Sequence, residues 1–272
     1  MGDAKRIEVR PIKAEDARRI IRALHYSGKV VNNSQVHLGV FLDGRCGGAM
    51  QFGPSLDKRR MLGLVRGTKW NEFIELNRMA FADWLPRNSE SRAIGWAMRW
   101  LKKTYPWLKW VVSFADGAQC GDGTIYRASG FVLTSIKPNT QIWEAPAGGG
   151  RFSRTSLTDG RSKQQQQKAT RLCRVSATKA GNILRTGGAS MAAFKESGFT
   201  PIPGFQLRYV YFLDPAARQH LTVPILPFSE IERRGAGMYR GQNRAASIGV
   251  DAPGDQPGEG GSIPTAALQP LP

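Results

Sequence analysis

Apolar side chains recur at two periods along the first half of the chain, and the switches between them mark out the elements. Residues 7–14 alternate apolar and polar, the pattern of a half-buried strand. Ala17, Ile20, Ile21 and Leu24 then recur at helical spacing and give one buried face. Asp16 reads as that helix's start, and Gly28, after His25-Tyr26-Ser27, as its stop. Alternation returns in 36–42, a tight turn is written by Asp43-Gly44, and 47–52 is the return strand. Residues 54–70 read as a basic, glycine-containing loop, and 73–81 as another strand. Past a polar loop at 86–91, capped by Ser89 or Ser91, the helical face Ile94, Met98, Leu101 appears. Residues 108–114 are almost wholly apolar, as a central strand is, with Asp116 at its C-terminal end. A short helix through Ile125, Tyr126 and Ala128 is stopped by Gly130 and leads into a strand at 131–136.

The order β-α-β-β-β-α-β-α-β predicts a three-layer, mixed-sheet α/β domain. Residues 206–213 alternate again and are expected to return to that sheet and close the domain. Residues 1–234 are therefore taken as one domain. From Gly235 onward Gly, Pro, Ala and Gln dominate, so 235–272 is expected to be a disordered tail.

Charge sharpens this picture. The chain carries 39 Lys and Arg against 21 Asp and Glu, a net charge of +18. Such a surplus attracts polyanions through long-range steering and counterion release. Nucleic acid is the first partner it implies, and solubility alone is the bland alternative. Residues 151–185 hold nine Lys and Arg and a single acid, Asp159, and read as a basic loop or arm, or as a solvated linker. No stretch is long and apolar enough to span a bilayer, so no membrane partner is expected. Three cysteines (Cys46, Cys120, Cys173) without a C-x-x-C fit neither a disulfide framework nor a zinc finger. With no apolar leader segment after Met1, the expectation is a cytoplasmic protein.

Two segments carry a resemblance to the GNAT acetyltransferase fold. Arg87-Asn88-Ser89-Glu90-Ser91-Arg92-Ala93-Ile94-Gly95 joins a strand to a helix, where that family binds the pyrophosphate of acetyl-CoA. Backbone N–H groups at a helix start suit an anion generally. By this likeness Asn88, Ser89, Ser91 and Arg92 are cofactor-binding candidates, although the family's loop glycines are missing before Gly95. An ordinary helix start is the alternative. Ile125-Tyr126-Arg127-Ala128-Ser129-Gly130-Phe131 looks like the family's Tyr-x-x-x-Gly-Phe corner, whose tyrosine protonates the departing thiolate or merely packs.

A more specific resemblance is to the Mom-type DNA modification proteins of bacteriophages, over residues 7 to 232. It rests on Leu24-His25-Tyr26-Ser27-Gly28, Glu75-Leu76-Asn77-Arg78-Met79, Ser113-Phe114-Ala115-Asp116 and the run from Gly123 to Phe131. What it implies is installation of a carbamoylmethyl (acetamido) group on N6 of adenine in double-stranded DNA, shielding phage DNA from host restriction. It also implies iron held by His25, Tyr26, Asp116 and Tyr126. An imidazole, a carboxylate and two phenols form a hard-to-borderline donor set suited to iron or manganese. Neighbours on a regular helix face apart, so His25 and Tyr26 converge only if the helix has unwound. The alternative is a packing pair beside an Asp that caps the next turn.

Tyr26, Asp116, Tyr126 and Arg78 are thus the catalytic candidates. Arg78 orients a donor or phosphate, or else pairs with Glu75 or Glu72. Ser27, Ser113 and Gln119 are candidate lining. Phosphate contacts are expected from Arg59, Arg60, Arg66 and Lys69, and from Arg151, Arg154, Arg161, Lys163, Lys168, Arg171 and Arg174. N6 sits inside a base pair, so the base must be extruded or the strands opened. Trp70 or Trp84 would stack on it, unless they are core residues. Two other functions fit the same residues: a conventional acetyl-CoA-dependent N-acetyltransferase on protein, tRNA or a small amine, and a DNA-binding protein without chemistry. A homodimer is compatible with the sequence. Plain acetyl transfer would leave no terminal amide, so acetyl-CoA alone is an uncertain donor for the carbamoylmethyl product.

Overall fold

The computed structural model describes residues 3–118, 120–158, 163–172, 191–239 and 242–243. Its centre is a seven-stranded sheet. In chain order the strands are β1 (Glu8–Pro11), β2 (Val36–Leu42), β3 (Arg45–Gly53), β4 (Phe73–Phe81), β5 (Trp110–Asp116) and β6 (Val132–Pro138). The spatial order places a later strand, Phe205–Phe212, between β5 and β6. All pairings in this sheet are antiparallel except β4 with β5.

Helix α1 (Ala14–Leu24) covers one face, burying Ala17, Ile20 and Ile21 on Ala49 and Ala80. The same face continues under α2 (Lys58–Leu62), where Met61, Leu64 and Val65 seal Phe73, Trp110 and Val112. The stretch 54–70, expected to be a loop, therefore contains a helix: Asp57 caps it by accepting from the Arg60 N–H. Helix α3 (Ser89–Thr104) covers the opposite face with Ala93, Ile94, Ala97, Met98 and Leu101, next to α4 (Thr124–Ala128). The expected mixed α/β sandwich of three layers is what forms.

The expected cap of α3 differs. Asn88 occupies that position in the left-handed region (φ 71°) with no side-chain cap. The Ser89 and Ser91 hydroxyls donate instead to the carbonyls of Pro86 and Asn88.

The parallel pair opens early. Phe73, Ile74 and Glu75 face Trp110, Val111 and Val112, and the pairing then stops. One residue further on, β4 slips register against β3: Gln51 faces Arg78, Phe52 faces Leu76, and Asn77 is the extra residue. A bulge bends and twists its strand, so β4 turns away from β5 and leaves a wedge-shaped slot.

The described residues between 139 and 204 form a lobe between β6 and the returning strand. It contains β7 (Ile142–Glu144), β8 (Arg151–Ser153), α5 (Arg154–Thr158), α6 (Lys163–Arg171), α7 (Met191–Glu196) and β9 (Thr200–Pro201). Trp143, Phe152, Leu157, Ala169, Phe194 and Phe199 give it a core of its own. The basic stretch is thus partly built structure; its residues 159–162 and 173–190 lie outside the described ones. The chain re-enters the main sheet as β10 (Phe205–Phe212).

Helix α8 (Ser229–Arg233) follows. Of the tail expected at 235–272, the first residues belong to the domain: Ala236 and Met238 are buried, and the Met238 carbonyl accepts from the Asp122 N–H; residues 244–272 lie outside the described ones. Among the described residues no helix is long and apolar enough to cross a membrane.

Candidate functional site in the strand opening

Side chains alternate across a strand, so Trp110, Val112, Phe114 and Asp116 point to the α1 face while Val111, Ser113 and Ala115 point to the α3 face. The slot therefore has two mouths.

At the α1 mouth, helix α1 has ended by His25, whose backbone is extended (φ −79°, ψ 132°). Gly28, at φ +58°, reverses the chain with its N–H bonded to the His25 carbonyl. Unwinding lets neighbouring rings turn together: His25 and Tyr26 lie with centroids 4.3 Å apart. The Tyr26 hydroxyl then donates to Asp116 Oδ2 at 3.1 Å. Asp116 Oδ1 accepts from Gln206 Nε2 (2.8 Å) and from the Ala118 N–H (3.1 Å). Tyr26 is 53% exposed, so the pair opens to solvent.

Burial and the charges of Arg78 and Asp116 set the electrostatics of this mouth. Burial, and the positive charge of Arg78, pull the His25 imidazole down to about 4, against a smaller upward pull from Asp116; the ring is neutral at pH 7. His25 Nδ1 accepts from the Ser27 N–H at 3.1 Å and lies 2.8 Å from the Ser27 hydroxyl. Partial burial, then the Asp116 carboxylate, hold the Tyr26 phenol above its ordinary range. Cys120, whose N–H bonds to the Asp116 carbonyl, is also raised by burial and by Asp116.

At the α3 mouth stands Tyr126, 7% exposed, packed on Phe131 and Tyr209. Burial pushes its phenol up to about 12, and a hydrogen bond shared with Ser113 opposes that. The Ser113 hydroxyl also reaches the Leu76 carbonyl across the slot at 3.4 Å. Glu75, at the point where the strands part, bonds to Ser55 and Asn77 and interacts electrostatically with Arg78 and Tyr126; burial raises its carboxyl. Arg78 donates to the carbonyls of Lys29 (3.4 Å) and Asn77 (2.7 Å). Neither acid considered from sequence bridges it: Glu72 pairs with Lys109 at 3.0 Å instead.

Of the four iron candidates, His25, Tyr26 and Asp116 come together at one mouth and Tyr126 stands at the other. The donor chemistry there, an imidazole, a carboxylate and a phenol, fits a hard-to-borderline metal ion, while the 3.1 Å between Tyr26 and Asp116 is an ordinary hydrogen bond. Among the described residues no three His, Cys, Asp or Glu side chains gather, so such a site would depend on the phenols.

The pyrophosphate candidates flank the Tyr126 mouth, with Ser129 Oγ donating to the Ser91 carbonyl at 3.4 Å. Their side chains are engaged: Ser89 and Ser91 with backbone carbonyls, and Arg92 with the Lys5 carbonyl at 3.2 Å. An anion there would meet backbone N–H groups rather than those side chains.

Arg59, Arg60, Arg66 and Lys69 are exposed around α2, and Arg151, Arg154, Lys168 and Arg171 are exposed on the lobe. The lobe leaves β6 after Pro138 and returns at Phe205, beside Gln206, so it stands at the Asp116 end of the sheet. Arg161, Arg174 and Gln119 lie outside the described residues, as does the side chain of Lys163. Neither tryptophan is core. Trp70 is 51% exposed beneath the Lys58 ammonium (4.6 Å), and Trp84 is 39% exposed under Arg45 (4.3 Å). Trp84 packs near Gly47, about 20 Å along β3 from the slot. Sequence reasoning missed Gln206, Glu75 as a half-buried acid, and Phe114. Glu75 alone had a local signal, a carboxylate among apolar strand residues.

Comparison with known proteins adds a family. The Mom protein family matches residues 6–230. The methylcarbamoylase Mom of Escherichia phage Mu is 43% identical over 129 residues, 47% of this chain and 53% of that one. The match thus spans about half the length of that curated relative. Solved structures with some likeness include a GNAT-family acetyltransferase from Streptococcus pneumoniae (14% identity, 49% of this chain and 89% of that one, TM-score 0.34). Others are an IAA acetyltransferase from Bacillus cereus (10%, 76% and 99%, TM-score 0.39) and the spermidine/spermine N-acetyltransferase SpeG from Vibrio cholerae with manganese ions (9%, 80% and 98%, TM-score 0.41).

Proposed function

The chain belongs to the Mom protein family, and from that premise we propose that it modifies phage DNA, transferring a carbamoylmethyl group to N6 of adenine and so shielding the DNA from restriction. The observation that carries the reading is the slot between β4 and β5. It offers an acceptor mouth at Tyr26 and Asp116 and a separate mouth at Tyr126, at the sheet end where the basic lobe stands.

Adenine is extruded from double-stranded DNA into the Tyr26–Asp116 mouth, because N6 is otherwise held in its base pair. Asp116 Oδ2 accepts a hydrogen bond from the N6 amine and takes its proton as the new N–C bond forms and the bond from the carbamoylmethyl carbon to its carrier breaks, the carrier leaving with that electron pair. Tyr26 and Gln206 hold the carboxylate in position. His25, neutral at pH 7, supports the Tyr26 ring without adding charge. Tyr126 keeps its proton at neutral pH, and in this reading its hydroxyl, shared with Ser113, hydrogen bonds the donor from the far side. Arg78, tied to two carbonyls, supplies positive charge between the mouths. Iron would be held by His25, Tyr26 and Asp116. When bound it supplies a Lewis-acidic, redox-active centre that the side chains lack.

The test is expression in bacteria, digestion of plasmid DNA to nucleosides, and mass spectrometry. A deoxyadenosine carrying the carbamoylmethyl mass supports the proposal. Unaltered nucleosides, or an acetylated amine elsewhere in the cell, would set it aside.

A further inference from the structure

The α1 face of the sheet holds a second cluster that the reaction above does not use. Two residues before Asp116, Phe114 points to the same face and is 40% exposed, unlike Trp110 and Val112 beneath α2. Its cross-strand partner in β10 is Arg208, two residues on from Gln206. Arg208 is aimed by a second bulge: β10 slips register against β6 between Arg208, facing Ser135, and Tyr209, facing Leu133. The residue left over is Thr134. Its hydroxyl accepts from Arg208 Nε at 3.0 Å and its carbonyl from Nη2 at 3.3 Å, which fixes the guanidinium plane. Bulges of this kind re-aim side chains next to active sites.

Arg208 is half-buried, and burial and the nearby Arg60 guanidinium both work against its charge. Among the described residues neither arginine enters an ion pair with an acid. Two guanidiniums held near each other without an acid repel, and an anion between them turns that cost into attraction.

We propose that Arg208, Arg60 and Phe114 form a nucleotide subsite beside the acceptor mouth. The two guanidiniums hold one DNA backbone phosphate, and the Phe114 ring takes the adjoining sugar or base. Two strand residues separate this cluster from Asp116 and Gln206, about 6.6 Å, within reach of a nucleotide whose base enters the mouth. The proposal rests on the reading that DNA is the substrate, and it makes these residues part of how the strand is placed.

The experiment is fluorescence anisotropy of a labelled DNA duplex with the full chain at several salt concentrations, for wild type, Arg60→Gln, Arg208→Gln and Arg208→Lys. Losing one phosphate contact reduces the salt slope by about 0.9, which at 0.15 M salt weakens binding about fivefold. Arg60→Gln alters an exposed side chain, so a change there is not a folding effect. Arg208→Lys keeps the charge while losing the Thr134 geometry, and should recover most of the slope. Unchanged slopes in both Gln variants would overturn the subsite. So would Arg208→Lys behaving as Arg208→Gln, since the role would then be structural. Because binding is read without modification, flattened slopes with unaltered nucleosides would keep the subsite and reject only the chemistry. Normal modification with unchanged slopes would reject only the subsite.

Discussion

Replacing Asp116 by asparagine keeps the side chain's shape and removes its charge. The carboxylate accepts from Tyr26 at 3.1 Å, Gln206 at 2.8 Å and the Ala118 N–H at 3.1 Å. In the variant, Oδ1 keeps both N–H donors and the new amide group faces the Tyr26 oxygen, which can accept. No polar atom is orphaned, so the loss is only that between a charged and a neutral acceptor. Hydrogen bonds to charged groups exceed neutral ones by about 1 kcal/mol, and this mouth is open to water, so about 1 kcal/mol in all is expected. That lowers the melting midpoint by about 2–4 °C in a domain of this size. Activity responds differently. A positioned proton acceptor contributes about 10²–10⁴ in rate, or about 2.7–5.4 kcal/mol at 1.36 kcal/mol per decade. The assay is a time course of modified deoxyadenosine in plasmid DNA after induction, with the midpoint measured on the same preparations. The variant should fold, bind DNA and modify it at about one-hundredth of the wild-type rate or less. Modification within a few-fold of wild type would refute Asp116 as proton acceptor.

Three other substitutions probe neighbouring parts. Gln206→Leu leaves the Tyr26–Asp116 pair but removes its brace, and should slow modification less than Asp116→Asn does, as read in the same time course. Gly123→Ala should be severe: Gly123 sits at φ +85°, and an added Cβ would lie 2.5 Å from the Tyr209 ring and 3.0 Å from the Tyr126 ring. Strain of about 1–3 kcal/mol and overpacking of similar size should lower the midpoint measurably and disturb Tyr126. Glu75→Gln tests the half-buried acid. Its folded-state carboxyl is raised, so the folded state binds more protons, and the stability this gives is present below the unfolded value and lost as pH rises through the folded one. The variant's midpoint should therefore gain on wild type as pH rises above about 4.5; a constant difference across pH would count against that burial effect.

Much of the scaffold was legible because it is local. Asp43 and Gly44 both take positive φ, as a tight hairpin turn requires, and α1 and α3 bury the stripes their periodicity marks. What escaped was set by distant partners. The helix at Lys58–Leu62 has little periodicity of its own and is held by Met61 against a strand face. The bulges at Asn77 and Thr134 exist only relative to partner strands, so neither the slot nor the aim of Arg208 is visible in local pattern. The candidate cluster was readable in part for the same reason. His25 and Tyr26 were suspect as neighbours at a helix end, whereas Gln206 meets Asp116 only through a pairing across 90 residues. Tyr126 and Tyr26 were grouped by family likeness, but alternation along β5 puts them at opposite mouths.

The central claim is that the Tyr26–Asp116 mouth receives an extruded adenine. The most direct test is a crystal structure of the chain with a short adenine-containing duplex. The account predicts an unstacked adenine with N6 within hydrogen-bond distance of Asp116 Oδ2. A fully stacked duplex, with Tyr26 and Asp116 facing solvent away from it, would contradict it.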